Sequence, residues 1–184
     1  MPAILEIPEA RQRVSRLSVE EYRQLDENGR HTELIRGIIL DKMVKSPLHR
    51  ALGKLLYDLI ARLLPPGFLV YHEAPLTLAD SQPEPDISVV RGTAADFSKR
   101  HPTTAELVIE VAVTSAALDR ENASLYAEAG VKEYWIVLAL ERKVEVYCHP
   151  ERGRYREVRL LDGNETLQCT SIHTIEIPIA DLFT

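Results

Sequence analysis

The sequence has little cysteine, and the two cysteines it has are isolated from one another. Of 184 residues only Cys148 and Cys169 carry thiols, and neither belongs to the paired spacing of a zinc knuckle. A framework of disulfides or a structural zinc site built on cysteine is therefore excluded. We expect both thiols to be reduced in a cytoplasmic protein, with a disulfide between them as the minor alternative.

Long apolar runs are also absent. Arg, Asp, Glu or Pro interrupts every apolar stretch before it reaches the length of a membrane span. Residues 1–13 contain Glu6 and have no apolar core of the signal-peptide kind. The sequence thus predicts neither insertion into a membrane nor export.

An excess of basic residues is the third missing feature. Lys and Arg number 22 against 28 Asp and Glu, which gives a formal net charge of −6. This balance works against an obvious nucleic-acid surface, because strong phosphate binders usually carry a basic excess. The negative net charge does not exclude a nucleic-acid surface. A cluster of cation-binding acids lowers the net charge even where basic residues gather on another face.

The composition that is present is typical of a globular domain. Hydrophobic residues make up 45% of the chain and charged residues 27%, and the length suits one domain with a proper core. No internal repeat, low-complexity tract or linker divides the chain. We predict an N-terminal arm over residues 1–17, followed by a single α/β domain with a mixed sheet over residues 18–184.

Periodicity predicts the main elements of that domain. Apolar residues at helical spacing indicate a long helix over residues 48–63, which begins after Ser46-Pro47 and ends before Pro65-Pro66-Gly67. A second helix is predicted over residues 115–130, ended by Gly130. Strands are predicted at residues 31–40, with a short partner at 42–45, and at 68–78, 86–90, 106–113, 133–139, 143–148, 155–161 and 172–179.

Two of these predicted strands carry a carboxylate without a packing reason. Asp86 opens the run Ile87-Ser88-Val89-Val90, and Glu110 lies within the apolar run 106–113. A carboxylate in a buried strand is costly unless it is paired, hydrogen-bonded or bound to a cation. If the two strands are neighbours, both acids converge on one hard metal ion.

The spacing of these acids resembles a known signature. Pro85-Asp86, followed 24 positions later by Glu110, is similar to the signature of the PD-(D/E)XK, or restriction-endonuclease-like, nucleases. The surrounding sequence is similar to the Uma-two family within that superfamily: ELIRGI at residues 33–38, the Ser46…His49 pair, Asp119, and YAEAGVKEYWIV at residues 126–137. This resemblance implies a mixed central β-sheet flanked by helices, with extra antiparallel strands at the C-terminal end.

The resemblance also implies an activity and a set of site residues. It implies an endonuclease that forms a homodimer and hydrolyses DNA phosphodiester bonds with Mg²⁺ or Mn²⁺, ions that suit hard oxygen ligands. Asp86 and Glu110 are the expected metal ligands, with the backbone carbonyl of Val111 as the third. Glu33 matches the family's upstream glutamate and is expected to act through a water or a second ion. His49 is expected to contact phosphate or the metal shell.

One position departs from the family's pattern. The superfamily's lysine should stand two residues after Glu110, where this sequence has Ala112. In many similar proteins the lysine has moved to the next helix, four residues before its tyrosine. Here that tyrosine is Tyr126, a candidate substrate contact, and the position four residues earlier is Asn122. An asparagine can orient a water, but it donates no positive charge to the developing negative phosphate.

Plainer interpretations stay open for each of these residues. Asp86 can be a turn residue at a strand entrance, Glu110 a partner in a structural ion pair, His49 a surface residue and Tyr126 a core residue. Three functions follow: a metal-dependent endonuclease, a degenerate relative that binds metal or nucleic acid without cutting, and a protein-interaction module. The first two differ in whether a lysine reaches the two acids; the spacing supports neither Lys99 nor Lys132 for this role.

Overall fold

The computed structural model describes residues 15–25 and 31–183. Most of the predicted N-terminal arm, residues 1–14, therefore lies outside the described residues, as do residues 26–30 and Thr184. At the end of the arm, the backbone N–H of Leu17 donates a hydrogen bond to the carbonyl of Gly37, at 3.0 Å. The division into an arm and a single domain stays a prediction.

The described residues form three α-helices, ten strands and one 3₁₀-helix. In chain order these are α1 (Val19–Arg23), β1 (Thr32–Ile35), β2 (Ile38–Asp41), α2 (Pro47–Leu63), β3 (Phe68–His72), β4 (Ile87–Arg91), β5 (Leu107–Ala112), α3 (Ala116–Glu128), β6 (Glu133–Leu138), β7 (Lys143–Glu151), β8 (Arg154–Leu161), β9 (Thr166–Gln168), β10 (Glu176–Pro178) and the 3₁₀-helix Ile179–Leu182. None of these helices is both long and apolar enough to cross a membrane.

The centre of the domain is a six-stranded mixed sheet. Its strand order is β3-β4-β5-β6-β7-β8. Strands β5 and β6 are parallel and the other neighbouring pairs are antiparallel. The parallel pair needs a crossover connection, and α3 provides it. The predicted mixed α/β architecture is confirmed.

Helices cover both faces of this sheet, and alternate residues of each central strand point to opposite faces. In β5, Leu107, Ile109 and Val111 pack in one core cluster with Leu52 and Leu56 of α2. Their neighbours Val108 and Ala112 pack in the second cluster with α3. Because all these side chains are buried, the strand reads as a nearly continuous apolar run in the sequence.

Local sequence accounts for the bounds of the longest helix. The Ser46 hydroxyl accepts a hydrogen bond from the backbone N–H of His49 and so caps α2, with Pro47 in the first turn. The helix ends at Leu63, before the predicted Pro-Pro-Gly stop. The helix predicted over residues 48–63 is confirmed, and the one predicted over 115–130 is observed over Ala116–Glu128.

The hairpin near the start of the domain differs from the prediction. The single strand predicted over residues 31–40 is two strands, β1 and β2, joined by a tight turn at Arg36 and Gly37. Both turn residues have positive φ, 53° and 76°, as a two-residue hairpin turn of type I′ requires. The partner strand predicted at residues 42–45 is wrong, and those residues form a loop that leads into α2.

The strand ends also differ in two places. Of the predicted 68–78 region only Phe68–His72 is a strand. The predicted last strand, 172–179, is shortened to β10, which pairs with β9 in a separate two-stranded sheet. The antiparallel C-terminal strands of the prediction are confirmed by β7 and β8, which extend the central sheet.

Candidate active site

Asp86 and Glu110 lie side by side on the face of the sheet that α3 covers. Strands β4 and β5 are antiparallel neighbours, so the two acids meet although 24 positions separate them. The backbone N–H of Asp86 donates to Glu110 Oε2 at 3.1 Å. In return, the backbone N–H of Val111 donates to Asp86 Oδ2 at 2.8 Å. The acids are thus fixed by the sheet itself.

Both acids open on a cavity of about 410 Å³. Its walls come from the β1–β2 hairpin, the loop before α2, the start of β4, the end of β5 and the first turns of α3. Its lining contains six carboxylates but only two lysines and one histidine: Glu33, Asp41, Glu84, Asp86, Glu110 and Asp119 against Lys42, Lys45 and His49. A cavity with this excess of acidic groups favours a cation.

Crowding of carboxylates changes how they titrate. Burial, followed by the charges of Asp86 and Asp119, raises the pKa of Glu110 well above its ordinary value. Burial is also the main reason that the pKa of Asp119 rises to about 6 and that the pKa of Glu33 rises. Glu110, Asp119 and Glu33 therefore hold protons more tightly than they would in water, and a bound cation would reverse this.

Asp86 behaves in the opposite way. Burial alone would raise its pKa, but hydrogen bonds and charges from His49 and Lys45 outweigh burial and hold the pKa below its ordinary value. His49 Nε2 lies 3.0 Å from Asp86 Oδ2, and the Lys45 ammonium donates to Asp86 Oδ1. Asp86 is therefore the acid of the pair that loses its proton more readily.

Lys45 is a residue of the cavity that was not predicted from the sequence. Lys45 lies in the loop before α2, 41 positions from Asp86, and its ammonium also donates to Glu73 Oε1 at 2.9 Å. No local pattern predicts a contact of this range, and this loop was expected to be a strand. Lys99 and Lys132, the lysines considered from the sequence, do not line the cavity.

Asp119 also belongs to the cavity lining. It lies in the first turn of α3, and Ser115 Oγ donates to its Oδ2 at 2.7 Å. Its side chain is buried although it is an acid. The Ser115…Asp119 spacing of four residues on a predicted helix was a usable signal, because it places the two side chains on one helical face.

Three other predicted site residues line the same cavity. Glu33 lies in β1, and its Oε2 accepts a hydrogen bond from the backbone N–H of Glu84 at 3.4 Å. Asn122 is 8% exposed, and no hydrogen bond of its side chain appears among the described residues. Val111 lines the cavity as well, with its N–H engaged by Asp86. The carbonyl role expected for Val111 stays a prediction.

Tyr126 lies behind the cavity instead of in its lining. Its ring is fully buried, and its hydroxyl donates to Glu110 Oε1 at 3.0 Å. Burial raises the pKa of Tyr126 well above its ordinary value, so the hydroxyl keeps its proton. In this position the hydroxyl of Tyr126 supports the carboxylate of Glu110. The substrate contact expected for Tyr126 stays a prediction.

The donors of the cavity suit a hard divalent cation. Carboxylate oxygens of Asp86 and Glu110 are the kind of ligand that Mg²⁺ and Mn²⁺ take, with water and phosphate completing the shell. Among the described residues, only Cys148, His149 and Glu157 bring three donor atoms within 4.8 Å of one another. Among these described residues, no three of the cavity acids bring donor atoms this close to one another, which fits an ion held by two protein carboxylates and not by a closed protein cage.

The chain is similar in fold to a protein of known structure. No protein with a curated description matches the sequence. A protein from Anabaena variabilis ATCC 29413, described as "a putative nuclease belonging to DUF820", is 21% identical, with a TM-score of 0.78; the match covers 91% of this chain and 97% of that one. At this identity the likeness shows a shared fold.

A family model extends the comparison to the sequence itself. The model, described as "Putative restriction endonuclease", matches residues 19–180. This range includes every residue of the cavity lining and nearly the whole described domain. The match confirms the resemblance seen in the sequence, and the chain belongs to the Uma2 family of restriction-endonuclease-like nucleases.

Proposed function

We propose that the protein is a divalent-metal-dependent endonuclease that hydrolyses phosphodiester bonds of DNA, with Mg²⁺ or Mn²⁺ as its cofactor. One observation carries the proposal: Asp86 and Glu110, joined by a hydrogen bond from backbone to carboxylate, open together on a cavity with six carboxylates. An acidic cavity of this kind binds a phosphate only when a cation neutralises it first. Family membership supports the same reaction class.

Each site residue has a defined task in this proposal. Asp86 and Glu110 would hold the cation, which when bound would polarise the phosphate and lower the pKa of a bound water. Glu33 would act on the cation through a water. His49, in the first turn of α2, is placed to donate to a phosphate oxygen or to the cation's shell. Asn122 orients the attacking water through its amide.

A second function is favoured by one specific observation. Both positions at which the family's lysine is expected hold neutral residues, Ala112 and Asn122. A protein with a metal site but without this cation binds metal or nucleic acid and does not cut. A third function, a protein-interaction module, requires neither metal nor nucleic acid.

The assembly and the compartment of the protein are also proposals. We propose a homodimer, because Val158 and Leu160 on the edge strand β8 are more than half exposed although they are apolar. Light scattering in solution, with Val158→Glu as the disrupted form, tests this. We also propose action in the cytoplasm, in keeping with the two free cysteines Cys148 and Cys169.

The decisive experiment compares cleavage by the parent chain with two variants. Plasmid and oligonucleotide DNA are incubated with Mg²⁺ or Mn²⁺ and the parent, Glu110→Ala or Glu106→Ala. Glu106 is a matched control, because it lies four residues earlier on the same segment and pairs with Arg91 away from the cavity, at 3.0 Å. Calorimetry with Mn²⁺ accompanies each assay.

Three outcomes separate the three functions. Cleavage by the parent and Glu106→Ala, lost in Glu110→Ala, supports the endonuclease. Absence of cleavage with retained Mn²⁺ binding favours the degenerate binder. Absence of both cleavage and Mn²⁺ binding removes the metal site and leaves the interaction module.

A further inference from the structure

Phosphodiester hydrolysis has one chemical requirement that is not met at the two positions where the family's lysine is expected. In phosphodiester hydrolysis negative charge develops on the phosphate oxygens, and a fixed cation aimed at them stabilises the transition state. Ala112 and Asn122 provide no such charge. A positive group that serves this purpose must come from another part of the cavity wall.

Lys45 is the lysine that the fold brings to the two acids. Its ammonium contacts Asp86 Oδ1, and its side chain is only 20% exposed. It lines the cavity together with Glu110 and Asn122. The other lysine of the lining, Lys42, is held by Glu84 Oε2 at 2.6 Å and contacts neither Asp86 nor Glu110 among the described ion pairs.

The backbone beneath Lys45 is restrained. Lys45 directly precedes Ser46, the capping residue of α2, and Pro47 follows in the first turn. The N-terminal end of this 17-residue helix adds positive potential at the same wall of the cavity. The backbone of Lys45 is therefore fixed, which reduces the conformational entropy that is lost when its ammonium group binds an anion.

We propose that Lys45 supplies the positive charge that the family's lysine provides elsewhere, by contacting the scissile phosphate beside the cation held by Asp86 and Glu110. The proposal rests on the proposed nuclease function. The oxygen of water forms a bond to phosphorus while the bond from phosphorus to the leaving oxygen breaks. One proton of the water stays with the phosphate product and the other ends on the leaving oxygen. Lys45 donates hydrogen bonds and keeps its own proton throughout.

The test uses the full chain with three substitutions. Lys45→Met removes the charge at similar length, Lys45→Arg keeps the charge, and Lys54→Met is the matched control. Lys54 lies further along α2, and its ammonium pairs with Asp58 on the exposed side of the helix. Three quantities are measured: the single-turnover cleavage rate with Mn²⁺, the affinity for Mn²⁺, and the affinity for a fluorescent duplex oligonucleotide with Ca²⁺ as a second oxygen-seeking ion.

We expect Lys45→Met to lower the cleavage rate by about 100-fold, the effect of removing one preorganised transition-state donor. Its oligonucleotide affinity should fall by about tenfold, since a charge-assisted contact to phosphate is lost. Its Mn²⁺ affinity should be unchanged or higher, because a competing cation has left Asp86. Lys45→Arg should recover most of the oligonucleotide affinity, and Lys54→Met should match the parent.

Several results would overturn the proposal. Lys45→Met that cuts and binds like Lys54→Met would remove Lys45 from the reaction. Lost Mn²⁺ affinity in Lys45→Met would make Lys45 a structural support of Asp86 instead. If the parent cuts no DNA, the proposed nuclease function is contradicted. The oligonucleotide affinities of the parent and Lys45→Met still show whether Lys45 contacts phosphate. A parent that binds no oligonucleotide overturns both.

Discussion

The hydroxyl of Tyr126 donates a hydrogen bond to Glu110 Oε1 at 3.0 Å, and so joins α3 to the carboxylate of β5. Glu110 is held on its other oxygen by the backbone N–H of Asp86. Both oxygens of this half-buried acid are therefore engaged before any cation arrives. A carboxylate whose position is fixed in this way needs no rearrangement to bind an ion, which favours affinity.

We predict that Tyr126→Phe weakens Mn²⁺ binding by about tenfold, the lower end of the effect of losing a partner that orients a metal ligand. The loss of the hydroxyl donor raises the pKa of Glu110 further, and the ion must then displace a more tightly held proton. The aromatic ring remains, so its packing on Tyr134, with centroids 4.8 Å apart, should be kept.

Calorimetry at constant pH measures this change. Tyr155→Phe is the control, because its hydroxyl donates to the carbonyl of Val131 at 3.0 Å and lies away from the cavity. Equal Mn²⁺ affinities in the two variants would show that Tyr126 only fills space in the core.

We predict that Asp86→Ala abolishes measurable divalent-cation binding and keeps the fold. The variant removes the one acid of the pair whose pKa is held low, and so the charge that attracts the ion. It should lose about 1–3 kcal/mol of stability, because the N–H of Val111 is left without its acceptor. Circular dichroism and Mn²⁺ calorimetry check the two parts; an unchanged affinity would remove Asp86 from the metal site.

The buried acid Asp119 makes stability depend on pH. Burial raises its pKa from 3.8 to about 6, so between these values the folded chain holds a proton that the unfolded chain releases. The contribution of Asp119 to the free energy of unfolding is therefore fully present at low pH and decreases as the pH rises toward 6. A shift of this size corresponds to roughly 2–3 kcal/mol.

We predict that Asp119→Asn removes this dependence. Near pH 4 the variant and the parent should have similar free energies of unfolding, and at about pH 7.5 the variant should be more stable by about 2 kcal/mol. Urea unfolding followed by the fluorescence of Trp135 measures the difference. A gap that does not change with pH would contradict the titration of Asp119.

We predict that Asn122→Lys raises nuclease activity, or creates it, because the substitution returns a cation to the family's position on α3. Ser124→Lys is the control: it adds the same charge two residues later on an exposed part of the same helix. Single-turnover cleavage with Mn²⁺ compares the two. Equal rates in Asn122→Lys and the parent would show that the missing lysine does not limit the chemistry.

The sequence predicts the core of this protein well because local patterns determine it. The run after Asp86, the run around Glu110 and the apolar spacing of α2 each have a clear period, and the structure confirms all three as elements. The pairing of β4 with β5 was a hypothesis, and the structure confirms it. Alternation along these strands then places both acids on one face.

The features that the sequence did not predict depend on backbone strain or on distant contacts. The turn between β1 and β2 has Arg36 in the left-handed region, where an Asn or Gly would have been the signal. Because this turn was not predicted, the predicted hairpin was displaced by several residues, and the loop before α2 was predicted as a strand. The contact of Lys45 with Asp86 depends on that loop, so it could not be predicted from spacing alone.

Among the described residues, all those that line the cavity lie between Glu33 and Asn122 in the chain. The C-terminal strands support the site from behind but contribute no group to it. Substitutions on the outer side of β8, where Val158 and Leu160 are exposed, thus change no residue of the cavity lining. The pairing of two chains through this surface can therefore be altered by substitution while the composition of the cavity wall stays the same.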